Sequence, residues 1–203
     1  MVTHLINNLE GLEIILASSS PRRYALLKQM GLKFSVIPSN AEEDHKLPTD
    51  FEDLVQRNAM NKGMAVAQRY PDALVISADT VVVTENTIMG KPKNKEDAFR
   101  MLQALSGRTH RVYTGIGIFW QRHEQKILDA VCTKVRFRSL SEEEIRAYIN
   151  TGEPFDKAGG YGIQGQGALL VEGIEGCYYN VVGLPVAKLF VMLKAFMRRF
   201  SVS

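Results

Sequence analysis

Cysteine and histidine are scarce in this chain, with two of the first and four of the second among 203 residues. Cys132 and Cys177 lie far apart in no metal-ligand spacing, and His4, His45, His110 and His123 are equally isolated. That excludes a zinc finger or a disulfide framework and leaves the expectation of free, largely buried thiols in a reducing compartment. Long apolar runs are missing too. None reaches the roughly 20 residues that span a bilayer, and residues 1–11 have neither a cationic start nor an apolar core, so the expectation is a cytosolic protein without a membrane partner. Charge of one sign is not in surplus: 25 Lys and Arg against 22 Asp and Glu give a formal +3 without a long basic run. Tracking a nucleic-acid backbone requires a continuous basic face, so dispersed charge favours a small anionic ligand, without excluding nucleic acid. Repeats, low-complexity tracts and linkers are absent. The 203 residues, 45% of them hydrophobic, therefore read as one domain, in two lobes, with 1–12 and 200–203 peripheral.

What is present is organised around residues 14–23. Ile14-Ile15-Leu16-Ala17 suits a short buried strand, and Ser18-Ser19-Ser20-Pro21-Arg22-Arg23 follows at once. Ser20 can cap a helix whose first turn tolerates Pro21. Hydroxyls, free N–H groups and two guanidiniums then meet at one helix start, a combination suited to phosphate. The alternative is a capped helix with a basic first turn, although arginines there oppose the helix dipole.

In chain order, strand and helix signals alternate. The pattern predicts a helix over 21–30 stopped by Gly31, a strand over 33–38, and a polar loop over 39–49 containing Glu42-Glu43-Asp44. Helical spacing of Phe51, Leu54, Val55 and Ala59 predicts a helix over 50–69 carrying Lys62, which the bland alternative makes a surface lysine. Residues 73–78 read as a second buried strand ending at Asp79-Thr80, with Val81-Val82-Val83 beyond. A carboxylate in an apolar run needs a partner, so Asp79 is either bound to backbone N–H groups at a strand end or functional. A turn over 85–87 leads to Gly90-Lys91-Pro92, one hairpin from Asp79. Residues 94–105 predict a helix capped by Asn94, 109–120 and 127–138 an antiparallel pair, and Ser141 with Glu144 a capping box opening a helix that ends at Gly152. Five glycines fall within 159–167, close to Lys157 and Gln164, and could line a pocket or make plain turns. Residues 168–182 predict two strands, and Pro185 opens a last helix with an apolar and a basic face, suited to packing on the core or, less commonly, to a membrane surface.

Taken together, Ser18 with Ser20-Pro21-Arg22-Arg23, Ala78-Asp79-Thr80, Gly90-Lys91-Pro92, Leu105-Ser106-Gly107, Gly152-Glu153-Pro154, Asp156-Lys157-Ala158-Gly159, Tyr161-Gly162-Ile163-Gln164-Gly165 and Val182-Gly183-Leu184-Pro185 closely resemble the Maf family of nucleoside triphosphate pyrophosphatases, in order from about residue 14 to about 193. The resemblance implies an α/β fold like that of inosine triphosphate pyrophosphatases: a mixed twisted sheet with flanking helices and two lobes around a cleft. It further implies hydrolysis of a nucleoside triphosphate to monophosphate and pyrophosphate, a divalent cation such as Mg²⁺ or Mn²⁺, and commonly a homodimer. Arg22, Thr80 and Gln164 match the branch acting on dTTP and UTP, whereas the branch acting on 7-methyl-GTP carries Trp, Gln and Glu there; Gly160 replaces an alanine often found in the family. On this basis Asp79 is the expected general base or a metal ligand, and Glu43 the expected second acid on the metal, with Glu42 and Asp44 as neighbours. Ser18, Arg23, Lys62, Lys91 and Lys157 are expected on the phosphates, and Arg22, Thr80 and Gln164 on the pyrimidine. A nucleotide-binding regulator of septum formation would use the same pocket without turnover.

Overall fold

In the computed structural model, residues 5–6, 9–44, 50–85 and 87–200 are described. A mixed sheet runs in the order β2 (Ser35–Val36), β1 (Ile14–Leu16), β3 (Leu74–Thr84), β5 (Thr109–Trp120), β6 (Gln125–Phe137) and β7 (Val171–Glu175), with β4 (Thr87–Met89) paired to β3. β1 lies parallel to β2 and β3, and the other pairings are antiparallel.

The long strand β3 builds the architecture. On one side it pairs with β5 from Val75 to Val83. On the other, β1 covers only Leu74–Ile76 and β4 only Val82–Thr84, so among the described residues 77–81 have no strand neighbour there. The sheet opens at that interval, and its two halves become the floor of two lobes.

Side chains alternate across the pleat of β3, which sorts its residues onto two faces. Leu74, Ile76 and Ala78 enter a core with α1 (Pro21–Gln29) and α6 (Val186–Arg198), whose Leu189, Leu193 and Phe196 are buried. Val75, Val81 and Val83 face α2 (Phe51–Ala67) through Leu54, Val55 and Val66. In the second lobe Val82, Val112, Val135 and Phe137 pack against α3 (Lys95–Leu105) and α4 (Glu142–Asn150). α2 lies directly on β5, because a Cβ on Gly115 would fall 2.2 Å from the Val55 carbonyl oxygen and one on Gly63 2.0 Å from the Phe119 ring.

Most expected elements form. Ser20 accepts the Arg23 N–H, Asn94 caps α3 through the Asp97 N–H, and Ser141 and Glu144 make the capping box of α4. The final helix packs on the core, its commoner outcome, and among the described residues no helix is long and apolar enough to cross a membrane. Cys132 and Cys177 are free and half-buried.

Three expectations need correction. The strand over 33–38 is only Ser35–Val36, because the short β1 offers little edge and Pro38 lacks an N–H to continue. Asp79 is not at a strand end: β3 passes unbroken through it, held by continuous pairing with β5. Residues 168–182 contain one strand, not two. Gly165–Leu170 is a 3-10 turn and α5 (Tyr178–Val182) is helical, since the Asn180 amide donates to the Val112 carbonyl (2.9 Å) and the Thr133 hydroxyl (3.0 Å), and Gly183 at φ +119° ends the helix. His4, His45, residues 46–49 of the polar loop and Asn86 of the turn lie outside the described residues.

Candidate active site

The interval in β3 opens into a cleft of about 780 Å³, a volume suited to a nucleotide-sized ligand. Each of Ser18, Arg22, Arg23, Glu43, Lys62, Asp79, Thr80, Lys91, Lys157 and Gln164 lines it. Residues scattered over more than 140 positions of sequence thus meet in one place.

Asp79 points to the α2 face and is 3% exposed. Its Oδ1 accepts from Lys62 Nζ at 2.6 Å and its Oδ2 from the Asn58 amide at 3.0 Å. A buried carboxylate needs such compensation, and each oxygen keeps a further lone pair for a ligand. Asn58 and Lys62 are four residues apart, so one helical face delivers both. Lys62 also donates to Glu43 Oε1 at 2.7 Å, bridging the two acids. Asn58 in turn exchanges bonds with the Asp44 backbone, 2.8 Å and 3.1 Å, and so ties that acidic segment to the helix.

Thr80, next along the strand, points to the opposite face. Arg23 reaches it from α1 (Nη2 to Oγ1, 3.0 Å), and also donates to the Ser18 hydroxyl (3.2 Å) and the Gly183 carbonyl (2.9 Å). Thr114 spends its proton on the Asn180 carbonyl, so the 2.9 Å contact between Thr80 and Thr114 is a donation by Thr80. Toward the cleft, Thr80 therefore offers an acceptor. Burial lowers the Arg23 pKa, opposed by attraction to Asp79, and an arginine still keeps its charge.

Across the mouth, Arg22 Nη1 meets Asp156 Oδ2 at 2.8 Å, and Lys157 Nζ meets Asp156 Oδ1 at 2.5 Å and the Glu153 carbonyl at 2.6 Å. Burial pushes the Asp156 carboxyl up, but the hydrogen bonds from Lys157 and Arg22 outweigh it and leave it below its ordinary value. Lys91 and Gln164 stand exposed at the rim.

Sequence reasoning missed Asn58 and Asp156 as members of this constellation. Asn58 carried a signal, a polar residue at a core position of an otherwise apolar helix face. Asp156 stood in a quoted motif beside Lys157, but its pairing with Arg22, 134 residues away, left no local signal.

Among the described residues no group of three or more His, Cys, Asp or Glu gathers as a metal cage. The donor set is two carboxylates, Glu43 and Asp79, beside a cationic cleft. This fits a hard divalent cation that takes its remaining ligands from phosphate oxygens and water.

A mixed α/β sheet, parted at a central strand to form a cleft rich in arginine and lysine, is an architecture shared with the Staphylococcus aureus Ham1 protein. That solved structure superposes with a TM-score of 0.52 at 16% identity, over 93% of this chain and 100% of its own, a likeness of fold. The model of the family described as Maf-like protein matches residues 13–196, and the chain belongs to the Maf family. Among its relatives are the dTTP/UTP pyrophosphatases of Dictyoglomus thermophilum (50% identical, covering 89% of this chain and 94% of that protein) and of Thermoanaerobacter sp. strain X514 (50% identical, 94% and 98%).

Proposed function

We propose that this protein is a nucleoside triphosphate pyrophosphatase that hydrolyses dTTP and UTP, and modified pyrimidine nucleotides, to the monophosphate and pyrophosphate, clearing the nucleotide pool. The observation that carries the reading is Asp79, a buried carboxylate held by Lys62 and Asn58 and open to a cleft lined by arginine and lysine. Relatives about half identical over nine-tenths of the chain, and named dTTP/UTP pyrophosphatases, support the substrate.

In this mechanism Arg23, Lys91 and Lys157, with the Ser18 hydroxyl, bind the triphosphate and stabilise charge on the departing pyrophosphate. Asp79 takes a proton from water as its oxygen attacks the α-phosphorus and the bond to the β-phosphate bridging oxygen breaks. Lys62 fixes the orientation of Asp79 and Glu43. A divalent cation, Mg²⁺ or Mn²⁺, held by Glu43 and Asp79 would supply charge neutralisation and a more acidic water. Gln164, Arg22 and the acceptor of Thr80 read the pyrimidine edge, the kind of discrimination hydrogen bonds perform well. On the same reading the enzyme works in the cytosol as a homodimer on free nucleotides, with no nucleic acid or membrane as partner.

The test is to incubate purified protein with a panel of nucleoside triphosphates and Mg²⁺ or Mn²⁺ and to measure phosphate products. Pyrophosphate released from dTTP and UTP ahead of purine nucleotides is expected. Orthophosphate alone, or no turnover of either pyrimidine, overturns the reading.

A further inference from the structure

The segment that presents Gln164 is irregular up to the 3-10 turn Gly165–Leu170, yet its backbone converges on one acidic side chain. Glu153, at the start of the turn after α4, uses both carboxylate oxygens. Oε1 accepts the Tyr148 hydroxyl (3.1 Å) and the Gly167 N–H (3.2 Å), and Oε2 accepts the Gln166 N–H (3.1 Å). The Tyr148 hydroxyl accepts the Gly162 N–H at 3.2 Å, so the chain is gripped two residues before Gln164 and again two and three residues after it. The Glu153 carbonyl meanwhile accepts from Lys157. The glycines belong to this grip: a Cβ on Gly165 would lie 2.9 Å from Glu153 Oε2, and one on Gly167 2.8 Å from the Tyr148 hydroxyl and 2.1 Å from the Gly162 carbonyl. Tyr148 is buried, whereas Gln164 remains exposed on the cleft side with its amide free to face a ligand.

We infer that Glu153, acting with Tyr148, is a positioning residue for base selection: it clamps residues 162–167 so that the Gln164 amide is held at the nucleobase end of the cleft. The inference rests on the pyrimidine-reading role proposed for Gln164. Glu153 is not among the residues lining the cleft, so its loss should act on discrimination rather than on the chemical step. A clamped amide discriminates between the 4-oxo edge of uracil and the 4-amino edge of cytosine, and a loose one rotates to suit either.

The experiment compares Glu153→Gln and Tyr148→Phe with the parent protein. Glu153→Gln turns one acceptor into a donor facing backbone N–H groups, and Tyr148→Phe removes the hydroxyl while keeping the ring. In each, the UTP over CTP ratio of kcat/KM should fall by about tenfold, through a raised KM for UTP with kcat nearly unchanged. Amide hydrogen exchange at Gly162, Gln166 and Gly167 should accelerate while exchange in β3 stays as it was. An unchanged selectivity ratio, or a loss of kcat equal for UTP and CTP, overturns the inference. Should Glu153→Gln not fold, Tyr148→Phe carries the same comparison. Should the parent protein turn over no nucleotide, the function proposed above fails by itself, and parental exchange rates at those three amides in both variants would refute the clamp separately.

Discussion

On the proposed mechanism the chemistry turns on Asp79, which is buried and hydrogen-bonded once at each carboxylate oxygen. Asp79→Asn keeps the shape and removes the proposed base. Pyrophosphate release should fall by about 10²–10⁴ in kcat, with nucleotide binding kept within a few fold when measured by titration. A regulator without turnover would keep its biological effect in that variant. His110 is a second informative residue, away from the cleft chemistry. It is 2% exposed, its Nε2 pairs with the Tyr161 hydroxyl at 2.7 Å, and its Nδ1 has no partner among the described residues. Burial lowers its pKa from 6.5 to about 4. The folded state thus favours the neutral ring, and the unfolded chain binds the extra proton. This contribution is fully present above pH 6.5 and is lost as pH falls toward 4, a loss of about 3 kcal/mol. Urea unfolding at pH 7 and pH 4 should show that loss in the parent and a much smaller acid-side loss in His110→Gln.

At the scale of elements, α2 decides whether the site exists. It carries Asn58 and Lys62 to Asp79 and lies against β5 with no room between. Gly115→Ala places a methyl against the Val55 carbonyl oxygen and the Gln56 N–H, so the helix must move off the sheet. A destabilisation of about 1–3 kcal/mol in urea unfolding is expected, together with a fall in kcat as both side chains shift from the carboxylate. A variant as stable and as active as the parent would show that this packing does not set the geometry. The caps of α1, α3 and α4 were legible because capping is local: Ser20, Asn94 and Ser141 each bond a residue three positions on. The helix α5 was not legible, because Val112 and Thr133, to which Asn180 bonds, belong to other strands.

At the scale of the whole molecule, the cleft is a balance of charge. Arg22, Arg23, Lys62, Lys91 and Lys157 line it with Glu43, Asp79 and Asp156, and two of the cations are already held on Asp156. On the proposed mechanism a bound nucleotide draws Arg22 and Lys157 away from that carboxylate, an exchange between partly exposed ions that salt screens. Raising NaCl from low to several hundred millimolar should therefore raise KM for dTTP severalfold with little change in kcat; a KM indifferent to salt would count against phosphate recognition by these cations. The sequence by itself determined the alternation of elements, the caps, the first strand running into a basic helix start, and the motifs that mark the Maf family, since these rest on neighbours in the chain and on side-chain type. Only the tertiary structure decided that β3 runs unbroken through Asp79 while its two edge partners stop short of each other. That gap arises from pairing between distant strands, and it turns a costly buried carboxylate into one wall of a cleft with Lys62, Arg23 and Gln164 around it.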